Sequence, residues 1–176
     1  MTHPDVHVPA EESLVYQGDV FINFRNHTYQ WVRIKLFALP ANYADEELLA
    51  LLTRHIRYRD SYAASEFNDA ETIHGPYWLN AIDAGVFEPK SAADIEPLVR
   101  TWAEYAAPLP SGRREEMERE LYSRIRAATS RYQLPDLRDT AEHDWGKTVG
   151  SITGFFEFVL IDRSKGTLAL VVASDD

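Results

Sequence analysis

The sequence predicts an α+β domain. We expect an antiparallel sheet of about five strands, formed by an N-terminal hairpin and a C-terminal three-stranded meander, with about four inserted helices packed mainly on one face. Residues 13–39 and 145–174 alternate or run apolar as strands do, whereas the middle of the chain has helical periodicity. At 176 residues the chain suits one domain, assigned to residues 13–176, and the polar, proline-containing residues 1–12 are predicted to be a flexible tail.

Two alternating segments predict the N-terminal hairpin. The apolar residues of the two strands are Val20, Ile22 and Phe24 on the first, and Val32, Ile34 and Leu36 on the second. They share one face if Ile22 pairs with Val32 and Val20 with Ile34, a register that also places Asp19 opposite Lys35. The loop is then Asn26–Thr28, where Asn26 or His27 can adopt the left-handed conformation.

The first two predicted helices follow this hairpin. Asp45 can cap a helix with one apolar stripe, formed by Leu48, Leu49, Leu52 and Ile56. A second helical segment, 66–73, is broken by Gly75 and Pro76. Because proline suits the first turn of a helix, Pro76 predicts a short helix that ends at Gly85.

Two longer helices are predicted next. Ser91 and Asp94 have the spacing of a capping box at the start of the third helix. Ser111 can cap the fourth, whose core stripe is Met117, Leu121, Ile125, Ala128 and Tyr132. The pair Leu134–Pro135 ends that helix.

The C-terminal meander is predicted from three apolar segments, 147–153, 155–162 and 167–173. The middle segment is apolar on both sides, with Phe156, Phe158 and Leu160 on one and Phe155, Val159 and Ile161 on the other. A strand with this pattern is central in its sheet or covered on both faces.

Composition excludes several classes of function. A formal charge of −10 opposes binding to a phosphate backbone, so no nucleic-acid partner is expected. The absence of cysteine excludes disulfides, thiol nucleophiles and thiolate metal sites. We expect no membrane partner, because no apolar stretch approaches the roughly 20 residues of a membrane span. Without a readable secretory signal, the expected compartment is the cytoplasm.

Residues 141–148, AEHDWGKT, match a relaxed phosphate-binding loop pattern with alanine in place of the first glycine. The segment before them is polar, and Glu142 and Asp144 would repel a triphosphate. We therefore interpret Gly146 as a turn glycine and expect no nucleotide or other cofactor. No metal site is expected either, because the central histidines have no partner at ligand spacing.

Three residues are candidates for acid–base catalysis. Glu157 interrupts an apolar strand, so its carboxylate needs buried partners; alternatively it pairs with Arg33 or Lys35 across the sheet, or faces solvent. His143, next to Asp144, and His74 are the candidate histidines. Both are also compatible with a structural role.

Aromatic residues predict the candidate binding surface. In the register above, Phe21, Trp31 and Arg33 share the second face of the hairpin with Lys35 and Phe37, a mixture typical of interface centres. The alternative is a face covered by a helix. Tyr77 and Trp78, at a helix break, form a second candidate cluster, and their alternative is a packed helix start.

Two functions follow from these candidates. The first is a non-catalytic binding or protein-interaction domain. It would be either a homodimer or an acidic inhibitor or immunity-type protein that binds a basic partner. The second is a small-molecule enzyme that uses Glu157 and a histidine for acid–base chemistry, with a ligand between sheet and helices.

Overall fold

The computed structural model describes residues 8–63 and 72–176, which fold into an α+β domain. Its first half contains α1 (Ala10–Ser13), β1 (Val15–Asn23), β2 (Gln30–Ala38), α2 (Asp45–Arg54), β3 (Ile73–His74), β4 (Tyr77–Trp78) and β5 (Glu88–Pro89). Its second half contains α3 (Ala92–Ala103), α4 (Ser111–Glu116), α5 (Ser123–Ala127), β6 (Ser130–Leu134), α6 (Arg138–Ala141), β7 (Phe156–Asp162) and β8 (Thr167–Asp175). A π-helical stretch, Met117–Tyr122, joins α4 to α5.

Six antiparallel strands form the main sheet, in the order β1-β2-β8-β7-β6-β5, and β3 and β4 form a separate small hairpin. The predicted hairpin register is confirmed, since Ile22 pairs with Val32, Val20 with Ile34 and Asp19 with Lys35. A β-bulge interrupts β1 between Tyr16 and Gly18. His27 adopts a positive φ of 66° in a connection longer than the predicted loop, because β1 ends at Asn23 and β2 begins at Gln30.

The C-terminal region corrects two predictions. Residues 147–153 do not form a strand; the first two belong to the 3₁₀ turn Gly146–Thr148, and bends and turns follow. The third strand is β6, which the sequence predicted as the end of the fourth helix. That helix ends at Ala127, and Tyr132 pairs with Val159 of β7. Because β7 is apolar on both faces it is stable only inside the sheet, and β6 supplies its second neighbour.

The other helix predictions have mixed outcomes. The capping box of α3 is confirmed, with Asp94 N donating to Ser91 Oγ at 3.1 Å and Ser91 N donating to Asp94 Oδ2 at 2.8 Å. Helix α2 begins at Asp45, but its N-cap is Ala44. The Asp45 carboxylate instead accepts from Tyr132 Oη at 2.6 Å and from Arg163 Nη2 at 2.5 Å.

The region after α2 departs furthest from the predicted pattern. Most of the predicted second helix, 66–73, lies outside the described residues, and Ile73 belongs to β3. The predicted helix from Pro76 to Gly85 is wrong. Gly75 and Pro76 form the two-residue turn between β3 and β4, where Gly75 has a φ of 52°, and 3₁₀ turns at Leu79–Ala81 and Ala84–Val86 follow.

Each face of the main sheet has its own apolar core, so the helices are not confined to one face. On the face we call the α2 face, side chains of the sheet pack against α1, α2 and the β3–β4 hairpin; Phe37, Val159, Leu170, Leu48 and Leu52 are examples. On the opposite face, the α3 face, the sheet packs against α3 and the α4–α5 helix; Ile34, Phe158, Val171, Val99 and Leu121 are examples.

The end of the predicted tail has a defined position. Residues 1–7 lie outside the described residues, but Ala10–Ser13 form α1, and Ala10 is buried in the core of the α2 face. Glu11 Oε1 accepts a hydrogen bond from Ile56 N at 2.9 Å, which attaches α1 to the segment after α2. Within the described residues, no helix is both long and apolar enough to cross a membrane.

Candidate functional site

Tyr58, His74 and Glu157 form a buried polar trio on the α2 face. Tyr58 ends a 3₁₀ turn after α2, His74 lies in β3 and Glu157 lies in β7. Tyr58 Oη donates to Glu157 Oε2 at 2.7 Å, and His74 Nε2 contacts Glu157 Oε1. The Tyr58 and His74 rings stack with their centroids 3.7 Å apart, so both reach the same carboxylate side by side.

The partners of His74 define where its protons lie. Nδ1 faces the carbonyl oxygen of Tyr58, which can only accept, so Nδ1 carries a proton. Nε2 faces Glu157, and the proton between them belongs either to an imidazolium beside a carboxylate or to a carboxylic acid beside a neutral imidazole. In both forms the pair is neutral overall. Burial raises the pKa of Tyr58 well above its usual range, so its hydroxyl remains a donor.

Access limits the chemistry of this trio. The side chains of His74 and Glu157 are both 0% exposed, and both carboxylate oxygens already have partners inside the protein. Glu157 does not pair with Arg33 or Lys35, because β8 lies between β2 and β7 and places Val172 between Arg33 and Glu157. A proton can shift within the trio, but a reactant has no exposed atom of either side chain to contact.

His143 is separate from the trio. Its Nδ1 accepts from Trp145 N at 3.1 Å, and its Nε2 donates to the carbonyl of Gly75 at 2.8 Å. This pattern requires the neutral imidazole with its proton on Nε2. His143 therefore fastens the segment after α6 to the β3–β4 turn, a structural role.

The second candidate is a surface cleft at the β1 edge of the sheet, with a volume of about 220 Å³, which we call the Phe21 cleft. It is lined by Phe21, Trp31, Arg33, Asp60, Tyr62, Ala63 and Asp176. Phe21 is 50% exposed, and the Arg33 guanidinium lies 5.0 Å from the centre of its ring. Trp31 stacks on Tyr62 at 5.8 Å and donates from Nε1 to Asp176 Oδ1 at 2.9 Å. Phe21, Trp31 and Arg33 were predicted, whereas Asp60 and Tyr62 were not.

The hairpin face that carries Phe21 and Trp31 also carries Lys35 and Phe37, and it is exposed at one end and covered at the other. Phe37 and Lys35 are buried beneath the segment that follows α2. Lys35 Nζ donates to Arg57 O at 2.8 Å and to Asp60 Oδ2 at 2.7 Å. Burial alone would raise the pKa of Asp60, but the Lys35 ammonium holds it below its usual value. Within the described part of the covering segment, which ends at Ala63, the cover reaches Trp31, and Phe21 is half exposed.

Tyr77 and Trp78 lie away from the Phe21 cleft. Tyr77 is buried and packs edge-on against Phe155, with ring centroids 5.8 Å apart, and burial raises its pKa to about 12. Trp78 is partly exposed and its ring lies 5.8 Å from that of His143. Their hairpin is thus a packed part of the domain, anchored through His143.

Residues 141–148, which match the relaxed phosphate-binding loop pattern, do not have the geometry of such a loop. The pattern begins at the last residue of α6 and ends with the 3₁₀ turn Gly146–Thr148, so no strand leads into it and no helix follows its lysine. Gly146 is required for packing, because a Cβ there would lie 2.5 Å from the carbonyl oxygen of Pro76. Among residues 8–63 and 72–176, no group of three or more His, Asp or Glu side chains is placed to hold a metal ion.

Comparison with known proteins gives no relative from which residue roles could be transferred. Neither the family models, nor the curated proteins, nor the solved structures contain a significant match to this chain. The function must therefore be inferred from the two sites themselves.

Proposed function

We propose that this domain is a non-catalytic protein-interaction module that binds a basic, extended segment of another protein at β1 and the Phe21 cleft. The observation that carries the proposal is Phe21, a half-exposed aromatic side chain on the outermost strand, next to a cleft lined by Trp31 and Arg33. Aromatic and arginine side chains dominate the binding energy of many protein interfaces.

The position of β1 supports an extended partner. Among the described residues β1 is an edge strand that pairs with β2 alone, so its outer backbone groups are not used within the described sheet. An edge of this kind can accept an additional strand, with side-chain pockets supplying specificity. The bulge between Tyr16 and Gly18 distorts one end of β1, which leaves Asp19–Asn23 as the regular part, with Phe21 at its centre.

The size of the cleft favours a single side chain over a metabolite. Pockets for small organic ligands typically enclose about 300–1,000 Å³, whereas the Phe21 cleft encloses about 220 Å³. A volume of this size suits one anchoring side chain of a partner. Anchors of this kind lie near the centre of protein interfaces and exclude water around them.

Charge favours a basic partner over a second copy of the chain. The formal charge is −10, and the cleft is lined by two carboxylates, Asp60 and Asp176, against one cation, Arg33. Two copies of the domain would each carry that charge and repel each other, whereas a basic segment would be attracted to it. An acidic inhibitor or immunity-type protein is one role of this kind.

The test uses peptides whose composition is known. Nonapeptides are selected from a random display library, and their affinities are measured by fluorescence anisotropy with the wild type, Phe21→Ala and Val15→Ala. Val15 is an equally exposed residue at the other end of β1 and serves as the matched control. We expect selected peptides rich in Lys and Arg, at least tenfold weaker binding to Phe21→Ala, and no change for Val15→Ala.

Two results would contradict the proposal. One is equal binding to Phe21→Ala and wild type. The other is a concentration-dependent dimer, measured by sedimentation, that Phe21→Ala dissociates, because this would assign the surface to self-association. The acid–base enzyme is not proposed, since the buried His74 and Glu157 have no exposed atoms for a substrate to contact.

A further inference from the structure

A second cleft lies on the α3 face, between the α4–α5 helix and the end of the sheet near the β7–β8 turn. Its volume is about 400 Å³, within the range typical of small-molecule sites. The floor is formed by Leu36, Leu160 and Ala169, and Arg119, Arg124 and Lys165 are among the residues at its sides. We call it the Lys165 cleft. It is separate from the Phe21 cleft and shares no lining residue with it.

Small residues create the space. One row across the sheet runs from Gly18 through Leu36 and Ala169 to Leu160, so two of its four positions have little or no side chain. A Cβ added to Gly18 would meet no atom within 4 Å. Ala127 and Ala128, at the end of α5, face the same cleft. The helix therefore lies over this part of the sheet without filling it.

Two backbone irregularities from different elements converge on this cleft. The π-helical stretch Met117–Tyr122 contributes Arg119 and Glu120, and the β-bulge in β1 contributes Gln17. Both kinds of irregularity are over-represented at functional sites, because they redirect side chains that a regular element would point elsewhere. Their meeting at one cavity is the geometric argument for a binding site.

The electrostatics select an anion. Three cationic side chains and two carboxylates line the cleft, in a chain whose formal charge is −10. The carboxylates already have partners. Glu120 accepts from Arg124 at 3.0 Å and from Arg119 at 3.3 Å, and Asp162 accepts from Ser164 N at 3.0 Å and Lys165 N at 3.1 Å.

Lys165 is the cation left for a ligand. Its ammonium forms no ion pair within 4.0 Å among residues 8–63 and 72–176. We infer that the Lys165 cleft binds a small organic anion. Its apolar body lies on Leu36, Leu160 and Ala169, and its charged group faces Lys165.

The probe for the experiment is anilinonaphthalene sulfonate, a fluorescent anion with an apolar aromatic body. It is titrated into the folded wild type and four variants. Lys165→Glu reverses the charge at the cleft, and Ala127→Trp fills the cleft from an exposed helix position. Lys147→Glu is the matched charge control on a distant exposed turn, and Phe21→Ala tests binding at the other cleft. Circular dichroism checks that each variant is folded.

We expect Lys165→Glu to weaken binding at least tenfold and Ala127→Trp to remove it, while Lys147→Glu and Phe21→Ala bind as the wild type does. Octanoate should displace the probe, whereas inorganic phosphate at the same concentration should not. The inference is overturned if the wild type does not bind the probe, if both Lys→Glu variants behave alike, if only Phe21→Ala loses binding, or if phosphate displaces as well as octanoate does.

Discussion

The two faces of the sheet are covered in different ways, and the difference explains where the buried polar groups lie. The α3 face is covered by long helices, which satisfy most of their own backbone hydrogen bonds. The α2 face is covered by one ten-residue helix and by short turns, in which several carbonyl groups accept hydrogen bonds from side chains instead of from the backbone. A buried carbonyl without a partner is costly, so other groups must supply donors.

Basic side chains supply these donors on the α2 face. Each donor binds one backbone carbonyl: Lys35 binds that of Arg57, His55 that of Leu14, His74 that of Tyr58 and His143 that of Gly75. The α3 face follows the same rule where a helix ends, because Gln30 Nε2 donates to the carbonyl of Trp102 at 2.7 Å near the end of α3. Buried polar residues here indicate an irregular backbone more directly than they indicate catalysis.

The largest expected effect is at Glu157. Glu157→Leu leaves His74 Nε2 and Tyr58 Oη without an acceptor in the core, and we expect a loss of about 3–5 kcal/mol in the free energy of unfolding. Urea denaturation measures it. Glu157→Gln, which keeps one acceptor oxygen, should lose less. A loss below about 1 kcal/mol for Glu157→Leu would mean that the trio contributes little to stability.

Leu121→Ala tests the apolar core of the α3 face. Leu121 lies on the buried side of the π-helical stretch between α4 and α5, and its truncation should cost about 2–5 kcal/mol, mostly through the cavity it leaves. Because the sheet separates Leu121 from Glu157, the double variant with Glu157→Leu should equal the sum of the single losses within about 0.5 kcal/mol. A larger deviation would show that the two faces are energetically coupled.

His143→Ala tests the hydrogen bonds by which His143 attaches the segment after α6 to the β3–β4 turn. It removes the partner of the Gly75 carbonyl and of Trp145 N, and we expect a loss of about 1–3 kcal/mol. His27→Asn is the control, because His27 is exposed and asparagine tolerates its left-handed backbone, so the change should stay within about 0.5 kcal/mol. Equal effects of the two substitutions would contradict a structural role for His143.

The smallest effect concerns pH and His55. Burial lowers the pKa of His55, and its Nδ1 accepts from Arg57 N, so the folded state favours the neutral ring. Below about pH 6.5 the unfolded chain binds a proton that the folded protein does not. The stability contribution of His55 is therefore complete above about pH 6.5 and is lost as pH falls toward its folded pKa.

The measurement compares the wild type with His55→Gln, whose amide can keep both hydrogen bonds but does not titrate. Urea denaturation of both is followed from pH 8 to pH 5. The stability of the wild type relative to the variant should fall as the pH decreases. A constant difference across this range would show that His55 titrates alike in the folded and unfolded chains.

The sequence predicted the regular elements better than the site. The hairpin register followed from alternation on both strands, and Glu157 was identified because it is the charged residue inside an apolar strand. Its partners were harder to find. His74 was a candidate only by residue type, and Tyr58 was missed because it lies in a turn without periodicity. Asp60 and Tyr62 of the Phe21 cleft were missed for the same reason.

Tyr132 shows why local pattern was insufficient for β6. It continues the spacing of Ile125 and Ala128 along a helix, yet it also fits the alternating pattern of Ser130–Leu134. Pairing with β7, which is distant in sequence, selects the strand. Tertiary contacts of this kind override local propensity and are not visible in a single segment.

The place of β8 in the sheet has a consequence for how the protein is made. It follows every other described strand in sequence, yet it lies between β2 and β7 near the middle of the sheet. During synthesis the N-terminal hairpin emerges early and must remain without its inner neighbour until residues 167–175 leave the ribosome. Contacts across long stretches of chain form slowly, and an unfinished sheet exposes apolar strands to aggregation. The inner edge of β2 thus stays unpaired in the nascent chain until β8 has been made.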